Sequence, residues 1–440
     1  MYIGKRIKKI REQQGLTRKQ LAHGIVSYSY LSNIENGITQ GSPEILSLLA
    51  ERLQIPPFYL NSQTQIKELN FDIQKAADAI KQQDIFTARK HVINIEKNYK
   101  FIPNFKQEIC YLIIKVFILF RELKYVRAIN LFRNELSLLC SEDDIRLLNQ
   151  DIQHLYNLLK VFTFLKQRNF NQGLYYIKKS LVLGCSDIQK AELFFYLAYC
   201  YRGNHQYLGA INQARKSLLK FKELDSFKTQ YHCLNLLGTL YWDTKRTEAS
   251  ELLLLESRNM AKKDENLFFL TYNYVNLSLI YAAKQQENLS YKLIKDVIEI
   301  RENLKQGDLS NPYILIIELL IKSGNLSEAQ YHIDKLQAME YDGRTSLMLQ
   351  ILIAKMELKK GKEKAYEEQV SHLLSTISDE QYFYDITSFM LEFGKHLKRK
   401  KRYKDACFHI EQALKYTTSG VGSSEQNFLG KTEVPFSPFI

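Results

Sequence analysis

Residues 17–37 read TRKQLAHGIVSYSYLSNIENG, and their spacing predicts two short helices joined by a tight turn. Thr17 is placed to cap the first helix, and Gln20, three residues on, completes a capping-box pattern. Leu21, Ala22 and Ile25 give that helix an apolar face. Ser27 caps the second helix, whose inward side is Leu31 and Ile34. Gly37 follows as a stop, because glycine enters the left-handed conformation that ends helices without a Cβ penalty. Tyr28, Ser29, Ser32 and Asn33 are left on the outer face, and side chains of this size reach base edges in a major groove. This is the helix-turn-helix pattern.

Working outward, residues 4–14 form a preceding helix with Ile7 and Ile10 on its buried edge. Lys5, Lys8 and Lys9 are expected to face solvent or phosphate. Downstream, Ser42-Pro43-Glu44 is a helix start, a capping serine followed by proline at the first helical position. Ile45, Leu46, Leu49 and Leu53 form that helix's apolar stripe. Ile55-Pro56-Pro57 stops it, and Phe58 to Leu60 open a fifth, short helix. Residues 1–62 are therefore expected to be one compact domain.

The remaining chain is of a different kind. With only 7 Pro and 18 Gly in 440 residues and 45% hydrophobic content, it reads as almost entirely helical. Its apolar runs fall short of the ~20 residues a membrane span requires. The N-terminal MYIGKRIKKIREQ lacks a signal-peptide core. Six scattered cysteines without metal-site spacing read as reduced, buried thiols of a cytoplasmic protein. The formal net charge is +13, which suits a polyanion such as DNA. Residues 1–62 hold only eight Lys/Arg against four Asp/Glu, however, so most of the excess lies along the helical region.

That region repeats. LAYCY, LGTLY and LSLIY stand at 197–201, 237–241 and 277–281, a period of forty residues, with a small residue at 198, 238 and 278. Ala128, Ala210, Ala214, Ala329, Ala406 and Ala413 fall on the second helices of related units, and Gly394 supplies the small residue of the last first helix. Small residues let the two helices of a hairpin approach closely. This is the tetratricopeptide (TPR) pattern in degenerate form. Nine helix pairs are expected, near 66–98, 105–138, 150–182, 188–222, 228–262, 268–303, 310–340, 345–378 and 383–417. The fold class is thus all-α: a five-helix helix-turn-helix domain (1–62), a right-handed TPR-like superhelix (63–417) and a flexible Gly/Ser/Pro-containing tail (418–440).

Residues 4–60, with GKRIKKIREQQGLTRKQLA opening the match and SYSYLSNIENG closing its recognition helix, resemble the XRE/Cro-type helix-turn-helix domain. The turn AHGIVS is shorter than usual for that domain. A shortened turn joined to a C-terminal TPR array resembles the RRNPP family of peptide-pheromone-responsive regulators, and nine repeats look most like its NprR-like branch. The resemblance implies a cytoplasmic quorum-sensing transcription regulator, a homodimer or higher oligomer on inverted-repeat double-stranded DNA, switched by a short signalling peptide in the TPR groove. It also implies an alternative: a TPR adaptor that sequesters a response regulator of a phosphorelay, with DNA binding secondary.

Matching the motif puts Arg18 near phosphate and points Tyr28, Ser29 and Asn33 into the major groove. Asn33 is the leading base reader, since an amide both donates to and accepts from adenine. Asn36 and Thr39 fall in the loop that meets the DNA backbone in the family. Arg11 and Glu35 correspond to an internal salt bridge of the family. For the peptide, the repeat register places Tyr199, Arg202, Asn235, Thr239, Trp242, Asp243 and Asn276 along the groove. Asn235 and Asn276 lead, because one amide satisfies both the N–H and the C=O of an extended peptide, and Arg202 suits a carboxylate. Trp242 equally suits packing between hairpins. The nine histidines are dispersed, no two spaced as a metal pair, and no phosphate loop or nucleophile elbow is present. No enzymatic activity, cofactor or metal is expected.

Overall fold

The computed structural model describes residues 2–61, 64–122, 124–376 and 380–418. Among these residues all regular structure is helical, and no helix is long and apolar enough to cross a membrane. The described chain divides into two compact units, up to Cys200 and from Tyr201 onward. The first unit therefore contains the helix-turn-helix head together with the first helix pairs.

The head comprises α1 (Tyr2–Gln13), α2 (Arg18–Ala22), α3 (Tyr28–Glu35), α4 (Pro43–Arg52) and α5 (Pro57–Asn61). The expected caps are present. Thr17 and Gln20 bond each other's backbone reciprocally, and the Ser27 and Ser42 hydroxyls accept from the amides of Tyr30 and Ile45. Ile7, Leu21, Leu31, Leu49, Leu53 and Leu60 are completely buried and form one core. Gly4 lets α1 lie against the end of α3: a Cβ there would stand 1.9 Å from the Ile34 carbonyl oxygen.

Helix pairs follow in both units. The first unit continues with α6 (Lys67–Lys81) and α7 (Ile85–Asn98), then α8 (Phe105–Arg121) and α9 (Tyr125–Leu131). Here α9 runs through a π-helical turn, Phe132–Leu136, into α10 (Ser137–Leu139). A short helix that the repeat pattern does not anticipate, α11 (Glu142–Arg146), starts with a Ser141–Asp144 capping box. Then come α12 (Gln150–Lys166), α13 (Phe170–Leu181) and α14 (Asp187–Gly203). The second unit holds α15 (Tyr207–Glu223), α16 (Phe227–Asp243), α17 (Thr247–Lys263), α18 (Leu267–Ala283) and α19 (Glu287–Leu304). It ends with α20 (Ser310–Ser323), α21 (Leu326–Gln337), α22 (Gly343–Lys359), α23 (Glu363–Thr376), α24 (Glu380–Arg399) and α25 (Tyr403–Thr418). The nine expected pairs are thus found among the described residues. Beyond Thr418, the expected tail lies outside them.

The forty-residue period has a visible cause. His205, Lys245 and Gln285 each take a left-handed conformation in the hairpin turn. In each case the next amide, of Gln206, Arg246 and Gln286, bonds the carbonyl of Tyr201, Tyr241 and Tyr281 at 2.8 Å. Ser250 and Ser290, also forty apart, donate to the carbonyls of Gly238 and Ser278 at 2.7 and 2.8 Å. Each hydroxyl thereby ties the second helix of its pair to the first at the point of closest approach. A Cβ on Gly238 would stand 2.7 Å from Leu254 Cγ, and one on Gly394 would stand 2.6 Å from Ile410 Cγ1. The expectation that small residues set the hairpin spacing is borne out. The cysteine expectation needs correction at two positions: Cys407 is exposed and Cys110 is half-buried.

In the first unit, His154 is buried and its Nδ1 meets the Ser180 hydroxyl at 2.7 Å. Burial depresses its pKa to about 4 from 6.5. The unfolded chain therefore binds a proton at a higher pH than the folded one. Stability contributed by the neutral ring is full above about pH 6.5 and is lost as pH falls toward 4. The expected loss is about 3 kcal/mol across that window. Urea unfolding at pH 7 and pH 4.5 checks this, and His154→Gln should flatten the difference.

Candidate functional site

The outer face of α3 is open. Tyr28 is 49% exposed, Ser29 and Asn36 are exposed, and Asn33 is half-buried with a side-chain amide that bonds nothing among the described residues. An amide displayed on a capped, core-anchored helix has its donor and acceptor available for a base edge. Ser29 Oγ lies 3.1 Å from Ser27 Oγ. Thr39 is half-buried with its hydroxyl enclosed, so it presents little more than backbone to a partner.

Arg18 departs from its expected role. Its Nε donates to Glu35 Oε2 at 2.7 Å, and hydrogen bonds to Glu35 and Tyr28 raise its pKa. Glu35 is buried and also receives Arg11 through Nε at 2.6 Å and a second guanidinium nitrogen at 3.1 Å. The Arg11–Glu35 pair is therefore internal, as expected, and Arg18 joins it instead of standing free for phosphate.

The first helix is corrected more strongly. Lys5 and Lys9 do not face solvent: Lys5 pairs with Asp144 at 2.5 Å, and Lys9 with Glu108 and Glu135 at 3.4 and 3.2 Å. Arg6 between them has no exposure. Its Nε donates to Glu108 Oε2 at 2.9 Å, and its remaining guanidinium nitrogens reach Glu108 and the carbonyls of Tyr59, Ile102 and Pro103 at 2.6–2.8 Å. The cation also lies 4.3 Å above the Tyr59 ring, whose hydroxyl donates to Glu108 Oε1 at 2.6 Å. All five guanidinium donors are satisfied. The head is thereby fixed to α8 and the loop before it. The sequence carried a faint signal for this, Glu108 as the one acid in the largely apolar stretch FKQEICYLIIKVF (105–117).

The groove residues of the second unit also differ from expectation. Asn235, Thr239 and Asn276 are completely buried and do not line open groove. The physical reason is that α16 and α18 pack side by side with their polar stripes facing each other. Asn276 Nδ2 donates to Asn235 Oδ1 at 3.4 Å, and Asn235 Nδ2 donates to Asn273 Oδ1 at 3.1 Å. Asn273, which the register reading missed, ends this chain with an enclosed Nδ2 that donates to nothing among the described residues. Its spacing to Asn276, three residues along one helix face, was the signal available. Arg202 and Asp243, both expected in the groove, pair with each other at 2.6 Å. Trp242 packs into the apolar core with Leu254 and Val275. Tyr199, in the first unit, is half-buried.

Residues 7–60 match the helix-turn-helix family model. The chain is similar to the transcriptional activator NprA of Geobacillus stearothermophilus, 26% identical over half of this chain and 53% of NprA. It is also similar to response regulator aspartate phosphatase I of Bacillus subtilis, 20% identical over 48% of this chain and 54% of that protein. It thus spans about half the length of the curated relatives it matches. The solved structure of NprR in complex with its cognate peptide NprX superposes over 80% of this chain and 98% of that one, with TM-score 0.61 and 16% identity, a likeness of fold. Residues 7–60 are thus a helix-turn-helix domain by sequence, and the helical array shares its fold with NprR. The two features just described, an open α3 face and a buried amide chain between repeat helices, fall on the head and on the array respectively.

Proposed function

We propose that this chain is a cytoplasmic transcription regulator of the RRNPP kind that reads an inverted-repeat operator as a homodimer and is switched by a short peptide taken up by its repeat array. The observation that carries the reading is the α3 face: Asn33 presents a side-chain amide with no partner among the described residues, on a helix capped by Ser27 and anchored by buried Leu31 and Ile34. The likeness to a transcriptional activator and to a peptide-bound quorum sensor supports it. For the peptide, the support is the Asn235–Asn273–Asn276 chain with its enclosed, unanswered donor. An extended peptide drawn between α16 and α18 would exchange these amide–amide bonds for bonds to its own backbone. Arg202, freed from Asp243, would take a carboxylate.

The test of DNA reading is operator selection from a random duplex pool, followed by affinity measurement. Asn33→Ala is expected to lose about 1–3 kcal/mol on the selected operator and little on random duplex. Equal losses on both would make Asn33 a positioning residue and remove the main support for base reading.

The likeness to a response regulator aspartate phosphatase favours a second reading, in which the array holds a response-regulator protein. A stoichiometric pull-down of such a protein by the peptide-free chain, with operator affinity indifferent to every peptide tested, would place the adaptor reading first.

A further inference from the structure

The head is short of cations for a DNA-binding domain. Of the eight Lys/Arg in residues 1–62, Lys5, Arg6, Lys9, Arg11 and Arg18 are held in ion pairs. Arg52 donates to the backbone carbonyls of Leu21 and His23. Among the described residues of the head, only Lys8 and Lys19 remain without a partner. Proteins that bind duplex DNA tightly neutralise about 6–10 phosphates, and that contribution supplies a large share of their affinity. The α3 face can select a sequence, but the head's own free charge falls well below this.

The missing charge is found in the second unit. Residues 395–404 read KHLKRKKRYK, seven Lys/Arg and no acid, across the end of α24 and the turn into α25. Residues 359–364 read KKGKEK across the turn from α22 into α23. The two turns lie side by side: Lys400 pairs with Glu363, and Arg402 pairs with Glu367 at 2.9 Å. The acids at this ledge are therefore already engaged. Lys359, Lys395, Lys398, Arg399, Lys401 and Lys404 are exposed and have no ion pair among the described residues. A solvated Lys-rich surface normally alternates its charges, whereas this one gathers one sign at the tips of two adjacent hairpins. Such a run suits a linear polyanion with closely spaced charges.

We propose that this ledge is a second, sequence-independent binding surface for the phosphate backbone of duplex DNA. The inference goes beyond the operator-reading function and does not depend on α3. The ledge would supply the salt-dependent part of the affinity that the head lacks.

The test uses the full chain and a random-sequence 40-base-pair duplex, with affinity measured by fluorescence anisotropy over a series of KCl concentrations. Lys398→Gln, Arg399→Gln and Lys401→Gln are combined in one variant. Its slope of log affinity against log salt is expected to fall by about 2–3, at roughly 0.9 for each phosphate no longer neutralised. Affinity at low salt is expected to fall about tenfold or more, with an unchanged melting curve. A Lys359→Gln, Lys404→Gln pair provides a second, smaller step on the same ledge if the first variant melts early. Asn33→Ala should leave this random-duplex binding unchanged, which separates failure of the ledge from failure of operator reading. Unchanged slope and affinity in both ledge variants would overturn the proposal. So would ledge-dependent binding to phosphatidylglycerol vesicles with no change in DNA binding, which would assign the surface to a membrane.

Discussion

Arg6→Ala is expected to destabilise the first unit by about 3–5 kcal/mol, the range for removing one partner of a buried ion pair. The substitution leaves Glu108, which is 6% exposed, with only the more distant Lys9 ammonium at 3.4 Å and the Tyr59 hydroxyl, and removes the donor for three backbone carbonyls, those of Tyr59, Ile102 and Pro103. It also removes the cation above the Tyr59 ring. Burial already holds the Tyr59 phenol far above its ordinary pKa, so its hydroxyl stays a donor to Glu108 and cannot compensate the charge. Lys8→Ala is the control. Lys8 lies on the same helix without a partner among the described residues, and a change within about 0.5 kcal/mol is expected there. Urea unfolding of the full chain, followed by Tyr fluorescence and by helicity, reads both. A loss below about 1 kcal/mol for Arg6→Ala would show that the head does not depend on this contact.

Glu35→Ala has the second largest expected effect, about 3 kcal/mol, confined to the head. Two guanidinium groups lose their shared acceptor. Arg11, 7% exposed, retains only the Leu16 carbonyl and Glu12, at 2.9 and 3.2 Å. Glu35 is the last residue of α3, so its loss also loosens the helix that carries Asn33. Operator binding should therefore disappear at a temperature where total helicity is nearly intact, because the repeats supply most of the helix. If operator binding and bulk helicity are instead lost together, the pair is not the local anchor of the reading helix.

These two effects mark where sequence reasoning reached and where it stopped. Thr17, Ser27, Ser42 and Gly37 announce the head because their roles are local: each acts on backbone within three or four residues. The forty-residue period announces the array for a similar reason, since each hairpin turn is built from neighbours in the chain. Arg6 is different. In a lysine-rich amphipathic helix it reads as a surface cation, and nothing nearby reveals that Glu108 and the Ile102 and Pro103 carbonyls will enclose it from about a hundred residues away. Asn235 and Asn276 fail in the same manner. A polar residue on a helix is read as pointing outward, but stacking of successive repeats turned these inward onto each other and onto Asn273. Trp242 was open between groove and core, and its contacts with Leu254 and Val275 place it in the core.

The same burial gives the proposed switch its logic. A ligand that enters between α16 and α18 must replace satisfied amide–amide bonds, so it gains affinity only by answering them, including the idle Asn273 donor. Because the head is fixed to α8 by Arg6, a rearrangement of the first repeats would carry the reading helix with it and not merely pull on a tether.

That mechanical link is the central claim, and a distance measurement tests it most directly. Spin labels at Lys19→Cys on α2 and Gln167→Cys after α12, in a chain with Cys110 and Cys407 replaced by serine, report on head and repeats of the first unit. Pulsed electron paramagnetic resonance on the full chain should give one narrow distance distribution that Arg6→Ala broadens. A broad distribution in the chain that retains Arg6, unchanged by the substitution, would contradict the account, because the head would then be only tethered to the array it is proposed to obey.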